Sequence, residues 1–285
     1  MRIIDTSAKI PDLYVQGQFD PERWKLYADA VRPGLRALCT KDMEEVLAAG
    51  YSWEKDFLPV LQLPAERPEK LRELLASFHG VTEKLDERLL SRFGRTVDAD
   101  LILYLGLCSG AGWVTSLGGT PTVLFGVEKI IELDWCGTDM MNGLVLHELG
   151  HLYQGQYGVL ERGFPEGPDR FLWQLFTEGV AMVFEQELVG DPDYYHEDRN
   201  GWKAFCETNI RPIAQAFSDD LPAMTHSTQR WFGDWVRFGG YGDVGYYLGA
   251  RFVRFMLRTR DFDSLICAGI EEVRAGFDAF RASLE

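Results

Sequence analysis

The sequence lacks most of the features by which whole classes of protein are recognised. Its five cysteines (Cys39, Cys108, Cys136, Cys206 and Cys267) are odd in number, scattered and never spaced as CxxC. That pattern supports neither a disulfide framework nor a thiolate zinc site, and reduced, mostly buried thiols are expected. No stretch approaches about 18 uninterrupted apolar residues, and the opening MRIIDTSAKIPDLYVQG has no apolar signal-peptide core. The expectation is a soluble, cytoplasmic protein with no membrane partner. Positive charge is also short, 29 Lys and Arg against 44 Asp and Glu, giving a formal net charge of -15. Such a field repels phosphate backbones and anionic head groups, so nucleic acid is not an expected partner. No internal repeat and no tract long enough for a flexible linker is visible.

What is present is a chain of 285 residues, 46% hydrophobic, enough for a substantial core in one large domain or two small ones. Residues 20 to about 95 are rich in helix formers, with Pro21, Pro33 and Pro68 where helices start or break. Three or four helices are expected, one of them over residues 69–93 with Leu71, Leu74, Leu75, Phe78, Val81, Leu85 and Leu89 on one stripe. Short apolar runs then follow at residues 101–107, 112–117 and 122–125, read as strands, with Gly118-Gly119 as a tight hairpin turn. Beyond Glu128 the pattern is helical again, apart from loops at residues 155–168, 190–193 and about 233–243.

The chemistry concentrates in His147-Glu148-Leu149-Gly150-His151. Residues four apart on a helix differ by only about 40° around the axis, so His147 and His151 can bind one ion together. Glu148, about a quarter turn away, suits a metal-bound water rather than the metal. Leu144, Val145, Leu146, Leu149, Gly150 and Leu152 let most of this helix be buried, with Thr138 or Asp139 as its cap and Gly155 as its end. A catalytic zinc takes three protein ligands and keeps one position open. The pattern HExxHxxGxxH is excluded by Gln154 and Tyr157.

The best third ligand is Glu178, the lone carboxylate of the apolar run Leu172 to Phe184, in a segment that starts after Pro168-Asp169 and ends near Gly190. An uncompensated buried carboxylate costs several kcal/mol, which a zinc ion would offset; an ion pair with Arg162 or Arg170 is the competing reading. Glu161 and Glu166 are weaker ligands on a solvated loop, and His196, among Asp191, Asp193, Glu197 and Asp198, reads as a surface residue.

With these residues the chain resembles the gluzincin metallopeptidases, whose zinc is held by the two histidines of HExxH and a glutamate from the next core helix. It is similar, more narrowly, to a bacterial family of predicted zinc-dependent proteases that pair HExxH with a Glu-Gly-x-Ala helix and a Gly-Tyr-Tyr-x-Gly stretch. Here these are Glu178-Gly179-Val180-Ala181 and Gly245-Tyr246-Tyr247-Leu248-Gly249, and the resemblance spans roughly residues 98 to 256.

The resemblance implies one Zn²⁺ per chain on His147, His151 and Glu178, with Glu148 as general base and an exposed strand, expected at residues 122–126, along which a peptide pairs. Candidate oxyanion donors are Tyr246, Tyr247 and His226, with Tyr246 favoured by the family pattern. Better-known members carry an aspartate one turn after the glutamate ligand; Met182 stands there, leaving support of the first histidine to Glu185 or a backbone carbonyl. Trp231, Phe232, Trp235 and Phe238 either wall a cleft or pack the last helices.

The expected fold is therefore α+β, mostly helical, with a small antiparallel sheet preceding a zincin-like active-site helix. A helical region at residues 1–97 and a metallopeptidase domain at 98–285 are expected to form one or two units. The expected activity is zinc-dependent hydrolysis of peptide or protein substrates. Two alternatives are a zinc-binding regulatory or structural protein without peptidase activity, and a hydrolase acting on a non-peptide amide.

Overall fold

The computed structural model describes residues 1–160, 163–196, 198–233 and 235–284. Contacts divide the chain into two compact units, Met1–Glu148 and Leu149–Glu285, and the division falls inside one helix. The fold is mostly helical with a small sheet, as the α+β expectation requires.

The first unit opens with strand β1 (Arg2–Asp5) and the two-residue strands β2 (Tyr14–Val15) and β3 (Gln18–Phe19). Helices α1 (Pro21–Val31), α2 (Leu35–Ala48), α3 (Leu58–Glu66), α4 (Pro68–Thr82) and α5 (Leu85–Phe93) follow. Strands β4 (Asp100–Tyr104), β5 (Gly112–Leu117) and β6 (Thr120–Gly126) then lead into α6 (Val127–Glu132) and the first part of α7 (Thr138–Tyr157). Prolines open α1 and α4, where a missing N–H costs nothing. The single helix expected over residues 69–93 is two, broken at Glu83 and Lys84, yet Leu74, Phe78, Val81, Leu85 and Leu89 are all buried.

The sheet has the order β1-β4-β6-β5. It is mixed rather than antiparallel: β4 is parallel to both β1 and β6, and only β5 and β6 run antiparallel. All five residues of β4 are buried, as a central parallel strand demands. Asp100 at its start is held by the Nε of Arg2 at 2.8 Å and by Arg32, which offsets the cost of burying the charge. Gly118 and Gly119, with φ of 59° and 79°, form the expected hairpin turn. Phe78 of α4 packs edge-on against Phe125 of β6, their centroids 5.6 Å apart.

The second unit contains the end of α7 and helices α8 (Pro168–Val189), α9 (Trp202–Thr208), α10 (Ile210–Asp220), α11 (Val244–Met256), α12 (Phe262–Leu265) and α13 (Ile270–Ala282). α8 is buried almost all round, and Phe176, Phe252, Phe277 and Phe280 interlock beside it. α8 and α11 touch through backbone: a Cβ on Gly179 would fall on the Gly249 carbonyl, and one on Gly249 would lie 2.6 Å from the Leu175 oxygen. α7 does not end at Gly155 but runs on to Tyr157, where the Gly158 N–H closes on the Gln154 oxygen and Gly158 lies against the Ile266 backbone. Its amino end has Thr138 and Asp139 inside the first turn, with the Gly137 carbonyl accepting from Met141. Among the described residues no helix is long and apolar enough to cross a membrane.

None of the five cysteines is in a disulfide; Cys39, Cys136 and Cys206 are buried and Cys267 is exposed. Burial pushes the Cys136 thiol up to about 11 and the Cys39 thiol up to about 12. In the native protein Cys267 is expected to react with a thiol reagent within minutes, whereas Cys39 and Cys136 react only after denaturant is added. Mass mapping of a time course distinguishes the two groups. For the α8–α11 contact, Gly179→Ala is expected to lower unfolding stability by about 1–3 kcal/mol through overpacking, measured by urea titration.

Candidate metal centre

α7 forms because its middle, Leu144 to Leu152, combines strong helix formers with an apolar face, and Val145, Leu146 and Leu149 are fully buried. The same helix carries His147, buried, and His151, half-buried. Glu178 comes from α8, next to the Gly179 contact with α11, and is half-buried. Gly150 of α7 allows the approach of α8: a Cβ there would lie 2.8 Å from the Ala181 Cα.

One nitrogen of His147, one nitrogen of His151 and a carboxylate oxygen of Glu178 all lie within 4.8 Å of one another. The His151 Nε2 is 3.2 Å from the Glu178 Oε2, and the Nδ1 atoms of both imidazoles are sealed from solvent. Ligands at about 2.1 Å from a tetrahedral ion stand about 3.4 Å apart, so these donors need only small side-chain adjustments to share one. Two imidazoles and a carboxylate match the donor types of a three-ligand metal site, and the group can bind a metal ion.

Glu148, beside His147, is only 7% exposed. Its side chain lies against the first residue of β5: a Cβ on Gly112 would come within 2.9 Å of the Glu148 Cγ, 3.0 Å of its Oε1 and 2.8 Å of the Leu144 Cδ1. Only glycine leaves that clearance. β5 is one of the two terminal strands of the sheet, β1 being the other, whereas β6, which contains residues 122–126, is enclosed between β4 and β5. The edge strand beside Glu148 is therefore β5 and not the segment expected from the sequence. The physical reason is legible in composition: β6 buries a continuous apolar run, while β5 carries Thr115 and Ser116 at half-exposed and exposed positions.

The other candidates are more dispersed. Tyr246 is half-buried on α11, its ring edge-on to Phe232 at 5.5 Å. Tyr247 is a core residue, 1% exposed, whose hydroxyl accepts from Arg251. His226 is exposed on a loop, where its backbone N–H donates to the Glu166 Oε1 at 2.7 Å. Glu166 and His226 are not in the metal-binding group, and Glu161 and Arg162 lie outside the described residues. Arg170 is exposed; the carboxylate of Glu178 faces His151.

His196 is not a surface residue: it is 8% exposed, with its Nδ1 2.9 Å from the Oε1 of Glu185, itself fully buried. Glu185, considered above as support for the first histidine, thus engages His196. Met182 is fully buried. Trp231 and Phe232 are packed inside, Phe238 stacks on Trp231 at 5.0 Å, and Trp235 is exposed.

No protein-family model, no curated protein and no solved structure matches the chain. The donor geometry yields a direct expectation. Titration of the metal-free protein with Zn²⁺ or Co²⁺ should saturate at one ion per chain, and a His147→Ala, His151→Ala double variant should bind none. Glu178→Ala should weaken binding by roughly two orders of magnitude or more, the loss of a direct ligand exceeding the 10- to 100-fold loss typical of outer-shell changes. Calorimetry measures all three.

Proposed function

We propose that the chain is a zinc-dependent peptidase of the gluzincin type, with a zincin-like active-site helix in α7. The observation that carries this reading is the convergence of His147, His151 and Glu178, with Glu148 one residue along the same helix. Two nitrogen donors and one carboxylate suit zinc, which when bound would supply Lewis acidity toward a carbonyl oxygen and activate water. Glu148 is the general base: buried beside His147 on α7, its carboxylate takes a proton from water and returns it to the leaving amine. Balanced over the cycle, the amide C–N bond is replaced by a carboxyl C–O bond and an amine N–H bond.

The substrate is a peptide or protein segment in extended form. β5 supports this, because a terminal strand offers unpaired backbone groups to which an extended chain can add. Gly112 brings that strand directly against Glu148, so a peptide paired there passes the base. Tyr246 is the favoured oxyanion donor, on a helix whose glycines bring backbone close to α8. Five cysteines with no disulfide among them fit the reducing cytoplasm as its site of action.

Glu148→Gln is expected to keep one zinc per chain while peptide hydrolysis falls by about 10²–10⁴-fold, the range lost with a general base. The assay is cleavage of a denatured-protein library by the zinc-loaded protein, read by mass spectrometry. Full zinc occupancy with no cleavage by the wild type would instead identify a zinc-binding regulatory or structural protein. Cleavage of small amides alone would identify an amidase.

A further inference from the structure

Glu128, at the start of α6, is a fully enclosed carboxylate that the chemistry above does not use. A hydrophobic side chain of the same shape would fill its place at less cost, so packing alone does not explain it. Its oxygens instead serve the loop at residues 105–111, between β4 and β5. Oε2 accepts the Gly106 N–H at 2.9 Å, and Oε1 accepts the Cys108 N–H at 3.1 Å. Cys108 is held at a φ of 62°, a left-handed conformation that residues with side chains rarely adopt and that persists only where the surroundings enforce it.

The loop wraps the carboxylate with glycine at its closest points. A Cβ on Gly106 would lie 2.7 Å from the Glu128 Oε1 and 2.9 Å from the Tyr104 hydroxyl, and one on Gly126 would fall on the Gly110 carbonyl. The Gly126 N–H donates to the Ala111 oxygen at 3.0 Å, and the Trp113 indole donates to the Tyr104 hydroxyl at 3.3 Å. Burial raises the Glu128 carboxyl above its ordinary value, opposed by the backbone N–H donors and the charge of Lys129. The loop ends at Gly112, the residue whose bare backbone touches Glu148 and Leu144.

Resting on the peptidase reading, we propose that Glu128 is a positioning residue for Glu148. By clamping the amides of Gly106 and Cys108 it fixes the loop at residues 105–111, and the loop sets Gly112 where it holds the Glu148 carboxylate in place. Glu128 touches neither substrate nor metal in this role; it acts through the start of the edge strand.

The test is Glu128→Gln, which keeps the shape but turns one acceptor oxygen into an amide group facing a backbone N–H. In the zinc-loaded protein, hydrogen exchange over residues 105–112 is expected to rise about tenfold while α8 is unchanged, as a local opening requires. Zinc stoichiometry stays at one, and kcat falls roughly 10- to 100-fold with KM changing less than about threefold. Gly112→Ala, which displaces Glu148 directly, should lower kcat as well, and the double variant should be no slower than the worse single one.

Gly106→Ala pushes the loop off the intact carboxylate and must reproduce the pattern, which covers a Glu128→Gln that fails to fold. Unchanged exchange over residues 105–112, or multiplicative effects in the double variant, overturns the proposal. A wild type that binds zinc but cleaves nothing defeats the peptidase reading instead, and the clamp then stands or falls on hydrogen exchange alone.

Discussion

The metal-binding group depends on how closely two apolar helices can approach. His151 and Glu178 are held 3.2 Å apart by helices that meet where Gly150 faces Ala181. A larger side chain at Gly150 would need space already occupied by the α8 backbone, and separating the helices by even one methyl radius would part the donors. The same device recurs on the other side of α8, where Gly179 meets Gly249. α8 is thus fixed by backbone contacts on two faces, at Gly179 and Ala181, and Glu178 immediately precedes the first of them. Side-chain packing alone would leave rotamer freedom at these points; backbone against backbone leaves almost none.

Acidic residues outnumber basic ones in the chain as a whole, yet three of the buried acids remote from the metal-binding group are individually provided for. Asp100 meets Arg2 and Arg32, Glu128 meets backbone amides, and Glu185 meets His196. Each solution differs in its partner, and each ties a distant segment to an element of the core. The excess negative charge can remain on the outside, where water screens it, because these three enclosed acids have their own donors.

What could be read in advance follows the range of the signal. His147 and His151 are legible because helical periodicity is local, and Glu178 because a carboxylate in the middle of the apolar run Leu172 to Phe184 demands an explanation. The hairpin at Gly118-Gly119 was equally local. β1 was not legible: four residues without a clear alternation pair with a strand about a hundred residues later, a contact no short-range pattern encodes. His196 reads as a surface residue because its neighbours in sequence are acidic, while its partner Glu185 lies eleven residues back on α8. The role of Gly112 as clearance for Glu148 was invisible for another reason: glycine in a strand carries no side chain to announce what it makes room for. Nothing in the local sequence of Glu128 marks it as enclosed.

The pairing of His151 with Glu178 also has a meaning for chain topology. One donor stands near the end of α7 and the other midway along α8, with the glycine- and proline-rich connection of residues 158–167 between them. An ion held by both closes that connection into a loop in the folded chain, a reversible cross-link in a protein whose cysteines form no disulfide. Because such an ion binds the folded arrangement in preference to the open chain, it adds stability in proportion to the logarithm of its concentration, about 2.7 kcal/mol at a hundred times the dissociation constant. Metal supply would then govern not only what α7 can do but how long it stays joined to α8.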